Sequence, residues 1–386
     1  MRSKPNPEHK LTIAHLMPWS GVGGVEVATL RMVEATRNHV HNIAFCLSDA
    51  LELQLAFGQL GVETFVYDPP EPSLRHGARY YRQSQRLAKQ LRDAGVGIVH
   101  CSDEKAAYHN SLAALLARTE IVCHLRGNNS SLSLRQRLCL RPVDSFIFVS
   151  QDAMRTFGMS LVRRDARVIY DAITLPAEDV TADRQSARQE LGIDAACVVV
   201  GMVARVAPVK DYFTLAAAAR QVISRHPNVK FLIIGDNSLV ALNREHYAKV
   251  ADRLVELRIA DRFIFTGHRT DVSRLIAAID IGVLCSHREG FGLAIIECMA
   301  MRKPVVATAV GGILEIVRPG INGYLHQHEN SDELAAAILS LIEAPEEIRR
   351  LGDAAREDVR QRFSGDRFTT EIVQAYRDVL RQGEKT

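Results

Sequence analysis

The sequence predicts an α/β protein built as two halves, each a parallel sheet covered by helices on both faces. Three observations carry that reading. Apolar runs of strand length alternate with amphipathic, Ala/Leu/Arg-rich stretches along nearly the whole chain, the pattern of repeated βαβ units. The alternation breaks once, over 172–196, where A-I-T-L-P-A-E-D-V-T-A-D-R-Q-S brings together Pro176 and several acids. A length of 386 residues suits two domains, or one large one.

In the first half the expected strands are 11–17, 42–47, 63–67, 97–101, 121–125, 145–149 and 167–170. In the second half they are 197–203, 229–234, 262–266, 280–285 and 304–308. The linker places the boundary, so residues 1–180 form an N-terminal domain and 181–365 a C-terminal domain. The stretch 366–386 has helical period with no strand after it, and is expected to close the fold as a helix. Two such Rossmann-like domains facing each other leave a cleft at the carboxyl ends of both sheets, where open α/β sheets bind their ligands.

Composition excludes several classes. The chain is 47% hydrophobic and 24% charged, ordinary for a soluble globular protein. Its net charge of +3 gives no reason to expect bulk nucleic-acid binding. The charge is uneven, with residues 1–170 at +6 and the remainder at −3. Seven scattered cysteines without a C-x-x-C pair argue against a disulfide framework and a zinc site, and point to a cytoplasmic protein. The polar start M-R-S-K-P-N-P-E-H-K reads as a frayed end, and no apolar run reaches membrane-spanning length.

The densest chemical signal is E-G-F-G-L-A-I-I-E, from Glu289 to Glu297. A strand leads in, and Gly290, Phe291 and Gly292 form a turn that frees backbone N–H groups at the start of a helix near Leu293, where the dipole favours anions. Carboxylates repel phosphate but accept hydrogen bonds from hydroxyl groups. An anion cradle between two hydroxyl-binding carboxylates suits a nucleotide sugar. Glu297 falls one turn inside the helix and Glu289 in the loop before it, so they act as separate hooks. The bland alternative is a strand–loop–helix with two surface acids.

Other loops follow strands in the same way. Gly21, Gly23 and Gly24 precede a helix that begins near Val25, either as a ligand-cradling loop or as a plain tight turn. The G-x-G-x-x-G dinucleotide fingerprint fails there, and no suitable ribose-binding acid follows. His124 ends the fifth strand in H-L-R-G-N-N, where it faces the cleft or is simply structural. Arg205 and Lys210 share one loop, V-A-R-V-A-P-V-K-D-Y, stiffened by Pro208 and set before a helix, an arrangement that can clamp a pyrophosphate. The loops I-I-G-D-N-S at Gly235 and F-T-G-H-R-T-D-V at His268 can frame a base and ribose through backbone groups. Two basic amphipathic stretches, 79–92 and 131–141, can lie on an anionic membrane or serve as ordinary solvated helix faces.

Taken together, these motifs resemble the family-four retaining glycosyltransferases of the GT-B fold, the glycosyl transferases group 1. The span H-R-E-G-F-G-L-A-I-I-E-C-M-A-M-R-K-P-V-V-A-T-A-V-G-G-I-L-E-I-V looks like that family's signature, and Gly23-Gly24-Val25-Glu26 is similar to its first glycine-rich loop. Arg205 and Lys210 fall where the family places its diphosphate-binding bases, and His124 matches a histidine thought to contact donor sugar or acceptor. The chain departs from the family in Asp171-Ala172, in Asp211 after Lys210, and in Leu125-Arg126 after His124. The last departure puts the acceptor in doubt.

The resemblance implies transfer of a sugar from a nucleoside diphosphate to an acceptor hydroxyl with retention, and an N-terminal domain that recognises the acceptor. His124, Arg205, Lys210 and Glu289 would take part in catalysis. Gly23, Gly24, Gly235, His268, Gly290, Phe291, Gly292, Leu293 and Glu297 would line the donor site together with Arg205, Lys210 and Glu289. No Asp-x-Asp motif stands at a strand end, so side chains rather than Mg²⁺ are expected to neutralise the diphosphate, without a cofactor. The expected partners are a nucleoside-diphosphate sugar and a glycan or lipid-linked acceptor, met in the cytoplasm or at the inner face of a membrane. A nucleotide-sugar epimerase or phosphorylase is the alternative. A nicotinamide oxidoreductase is disfavoured by the failed fingerprint, and a non-catalytic sugar binder leaves Arg205 and Lys210 without a purpose.

Overall fold

The computed structural model describes residues 10–383 except Val22, Leu74, Asn128, Asn129, Arg163 and Leu239. The first nine residues and the Asn128-Asn129 end of the H-L-R-G-N-N loop therefore lie outside the described residues. Two compact units emerge: residues 1–172 with 365–386, and residues 173–364.

The first unit holds seven parallel strands: β1 Thr12–Met17, β2 His41–Cys46, β3 Glu63–Val66, β4 Ile98–Cys101, β5 Glu120–Leu125, β6 Ser145–Phe148 and β7 Asp165–Val168. Their order is β3-β2-β1-β4-β5-β6-β7. Strands covered on both faces have no polar side to alternate with. β1 (T-I-A-H-L-M) and β2 (H-N-I-A-F-C) accordingly bury five of their six residues each. One face packs Leu16, Phe45, Val99, Cys123 and Phe146 under the helices Gly77–Asp93 and Glu104–Ala117.

The last helix, Gly365–Gly383, covers the other face. Phe368, Ile372, Ala375, Tyr376 and Val379 recur at helical spacing and pack on Ile13, Ile98, Val122 and Ile147. The segment set apart in the sequence as a closing helix is thus part of the first unit. The division falls at 172/173 and 364/365, where Ile173 bridges Ser364 inside the second unit, and not at 180/181 and 365/366.

The second unit holds β8 Val198–Val203, β9 Val229–Ile234, β10 Phe263–Phe265, β11 Ile281–Leu284, β12 Val305–Thr308 and β13 Gly323–His326, all parallel, in the order β10-β9-β8-β11-β12-β13. β13 is absent from the expected strands, because its G-Y-L-H offers only two apolar residues in a row. Both sheets reverse direction of growth once, at β1/β4 and at β8/β11, which is where a crevice opens beyond the strand ends.

Candidate functional site

In the second unit the reversal point brings together the loop after β8 and the loop after β11. Lys210 and Ser286 form an antiparallel bridge between them. The His287 N–H donates to Val209 O at 2.9 Å and the Asp211 N–H to Cys285 O at 3.1 Å. The Ser286 hydroxyl donates to Val209 O, and its N–H is held by Thr308 Oγ1. On this stitched backbone Lys210 Nζ donates to Glu289 Oε2 at 2.5 Å, with both side chains still partly open to solvent. The clamp lysine and the first signature glutamate, 79 residues apart in sequence, thus meet in one ion pair.

Gly292 caps the helix Leu293–Ala300 with φ 113°, a left-handed conformation that costs a residue with a Cβ. The helix buries Ile295, Ile296, Cys298 and Met299, and turns Leu293 and Glu297 to its partly open face. Phe291 differs from expectation. It is 4% exposed, with its ring edge-on to Phe363 at 5.6 Å. It anchors the loop in the core. The loop after β12 completes the cradle: the Gly312 N–H donates to Glu289 O, and a Cβ on Gly312 would lie 2.4 Å from Gly290 O. Gly312 is a residue the sequence reading missed, although V-G-G stands right after a strand.

Arg205 is exposed in the loop after β8. Gly235, at the end of β9, bridges Gly267, and its φ of 153° with Ala204 O only 2.4 Å from a would-be Cβ keeps that position bare. His268 is exposed beside Gly267. Arg205, Lys210, Gly235, His268, Glu289, Gly290, Gly292 and Leu293 therefore all lie on loops or at a helix start at the carboxyl end of the second sheet, with Glu297 one turn further along the helix Leu293–Ala300.

His124, Gly23 and Gly24 lie in the first unit. Gly23 precedes the helix Gly24–Thr36, and its N–H donates to Glu26 Oε2 at 2.9 Å. Glu26 is 6% exposed, and burial raises its pKa. At the reversal point of this sheet Trp19 Nε1 donates to Asp103 Oδ2 at 3.0 Å, and the Lys105 ammonium sits 3.5 Å above the Trp19 ring. Trp19, Asp103 and Lys105 were missed; the signal was S-D-E-K directly after β4.

His124 corrects an expectation. Its ring is fully buried, where a side chain open to a ligand was expected. Its Nδ1 lies 3.2 Å from Arg126 Nη2, and Arg126 pairs with the buried Asp171 at 3.1 Å. His124 ends a row of three buried histidines on adjacent strands. His15 and His100 are 5.4 Å apart between ring centroids, and His100 and His124 5.5 Å. His15 Nε2 meets Asn42 Oδ1 at 2.9 Å, and His100 Nδ1 meets the Tyr376 hydroxyl at 2.9 Å. Burial, with the Arg126 charge and the neighbouring rings, drives His100 and His124 well below the usual imidazole pKa and His15 down to about 4. All three are neutral at pH 7.

Of the two basic stretches, the helix Gly77–Asp93 turns Leu87, Ala88 and Leu91 into the core, as a packed helix does. The helix Leu134–Cys139 buries none of its residues, and leaves Leu134 75% and Leu138 49% exposed. No helix among the described residues is long and apolar enough to cross a membrane.

Two Rossmann-like units, the second carrying a lysine–glutamate pair and a glycine-capped helix at its reversal point, define the GT-B fold class. Residues 22–175 match the family described as Glycosyltransferase Family 4, and residues 183–358 match Glycosyl transferases group 1. The chain belongs to the group 1 glycosyltransferases.

It is 34% identical over 203 residues to a D-inositol 3-phosphate glycosyltransferase of Segniliparus rotundus, covering 52% of this chain and 44% of that one. It is 27% identical over 258 residues to an N-acetyl-alpha-D-glucosaminyl L-malate synthase of Bacillus anthracis, covering 66% and 65%. The match thus spans less than two thirds of either relative. In fold it is similar to Anabaena HepE, solved with UDP and glucose, at a TM-score of 0.83 and 24% identity over 95% of this chain and 99% of that one.

Proposed function

We propose that the protein moves a sugar from a nucleoside-diphosphate sugar to an acceptor hydroxyl, with retention at the anomeric carbon and without Mg²⁺. The observation that carries this is the Lys210–Glu289 pair held beside the Gly292-capped helix. A lysine and a helix N-terminus offer positive potential where a diphosphate departs, and two carboxylates at different depths offer hydroxyl acceptors. In this reading Lys210 and Arg205 hold the diphosphate, Glu297 the ribose hydroxyls and Glu289 the transferred sugar. A same-face course, in which the departing phosphate itself takes the acceptor proton, fits this arrangement. His124, being buried, acts by holding Arg126 and Asp171 in place. The UDP and glucose in the HepE structure support the donor class.

The two glutamates give the test. Glu297→Ala should weaken binding of the free nucleoside diphosphate as well as of the donor. Glu289→Ala should leave diphosphate binding nearly intact and depress turnover, because its contact is felt at the reacting sugar. Calorimetry and initial rates on both variants read this; the opposite pattern reverses the two roles.

The first unit, in this reading, takes the acceptor. The relatives' names speak of inositol phosphate and malate, both anionic, and the +6 charge of residues 1–170 suits an anionic acceptor or surface. We propose work in the cytoplasm on cell-surface glycan or glycolipid precursors. The helix Leu134–Cys139 would rest on an anionic membrane through Leu134 and Leu138, with Arg135, Arg137 and Arg141 at the headgroups. The protein should then sediment with vesicles containing anionic lipid, less so as salt rises. No sedimentation, or binding indifferent to lipid charge, counts against it.

A further inference from the structure

A second cluster of chemistry-bearing side chains stands beside the donor loop, outside the transfer site. His287, two residues before Glu289, faces His328 and Glu329 from the loop after β13. His287 Nδ1 lies 2.8 Å from His328 Nε2 and 3.5 Å from Glu329 Oε1, and His328 Nε2 is 3.8 Å from that same oxygen. Three ligand atoms of types that hold metal ions thus converge within 4.8 Å.

The backbone holds the trio in advance. The His287 N–H is tied to Val209 O. The H-Q-H-E turn is tied by the Gln327 N–H to Glu333 Oε2, and by Asn330 capping the next helix. Glu329 adopts φ 58°, a left-handed position uncommon for a residue with a side chain, and this turns its carboxylate back toward the histidines.

We infer that His287, His328 and Glu329 form a site for a divalent late transition metal, Zn²⁺ foremost, which clips the loop carrying Glu289 to the loop after β13. With bonds of about 2.0–2.2 Å, tetrahedral ligands lie roughly 3.3–3.5 Å apart, and the three observed separations straddle that spacing. Two imidazoles and one carboxylate are the donor set of a three-ligand zinc site with an open fourth position, a position this partly exposed cluster leaves to solvent. Two ring nitrogens 2.8 Å apart must share a proton between them. The metal takes the place of that proton, which moves to the remote nitrogen of the ring that donated it, so that each neutral ring carries its one proton away from the metal. Mg²⁺, which prefers six oxygens, does not compete. The site makes no use of the transfer reaction, and it stands or falls by metal binding alone.

The test uses the untagged full-length protein, stripped with a chelator, dialysed, and titrated calorimetrically with Zn²⁺ alone. One ion per chain is expected, with affinity falling about tenfold or more in His328→Ala and in Glu329→Gln. Zn²⁺ should raise the unfolding temperature of the wild type and of neither variant. Glu329→Gln keeps the side-chain shape and removes only the anionic ligand, so it decides the matter even if His328→Ala folds poorly. No Zn²⁺ binding, or binding that both variants retain, overturns the inference.

Discussion

Lys210→Ala should lower the transfer rate at saturating donor by roughly 10²–10³-fold, about 2.7–4 kcal/mol of transition-state stabilisation, as loss of one preorganised electrostatic contact does. The magnitude follows from where the charge sits. The ammonium is held on Glu289 before any ligand arrives, and the Lys210–Ser286 bridge fixes the backbone beneath it. It therefore needs no reorganisation as charge develops on the departing diphosphate. Removing it also leaves the Glu289 carboxylate without the cation that holds it in place. Arg205→Ala should act in the same direction from the same loop. Rates within about threefold of wild type in both variants would remove these residues from the reaction.

The second large effect is on stability. His15 is fully buried, and its pKa lies near 4, against 6.5 when unfolded. Below pH 6.5 the unfolded chain binds a proton that the folded chain refuses. The stabilisation is therefore complete above pH 6.5 and is lost as pH falls through 4, where it amounts to about 3 kcal/mol from this one residue. His100 and His124, also held well below the usual imidazole value by burial, act with the same sign. The first unit should weaken steeply between pH 6.5 and 4.5, and Trp19, the single tryptophan, reports on that unit by fluorescence. His15→Gln keeps a partner for Asn42 and cannot charge, so its urea midpoint should fall less over the same range. Equal slopes for variant and wild type would contradict the burial argument.

What the sequence shows and what it hides divide along one physical line. The cradle from Glu289 to Glu297 is local. Its turn, cap and helix lie within nine residues, so it reads directly, as does the cationic loop at Arg205 and Lys210. Contacts set by topology do not read that way. A strand-end histidine looks exposed until a helix from the far end of the chain covers it, as Tyr376 covers His100 beside His124. Phe291 looks like part of a binding loop until Phe363 closes on it. His287 and His328, 41 residues apart, become neighbours only because the loops after β11 and β13 leave the same end of the sheet. β13 itself has too short an apolar run to announce a strand, and the unit boundary depends on Ile173 bridging Ser364 across the whole second unit.

The central claim is that the reversal point of the second unit binds a nucleoside-diphosphate sugar through Lys210 and the glycine-capped helix. Thermal unfolding of the purified protein against a panel of nucleotide sugars measures this most directly, with Lys210→Ala in parallel. One nucleoside-diphosphate sugar at about one hundred times its Kd should stabilise the wild type by ~2.7 kcal/mol, and Lys210→Ala much less. No shift from any nucleotide sugar, or an equal shift in Lys210→Ala, would contradict the account.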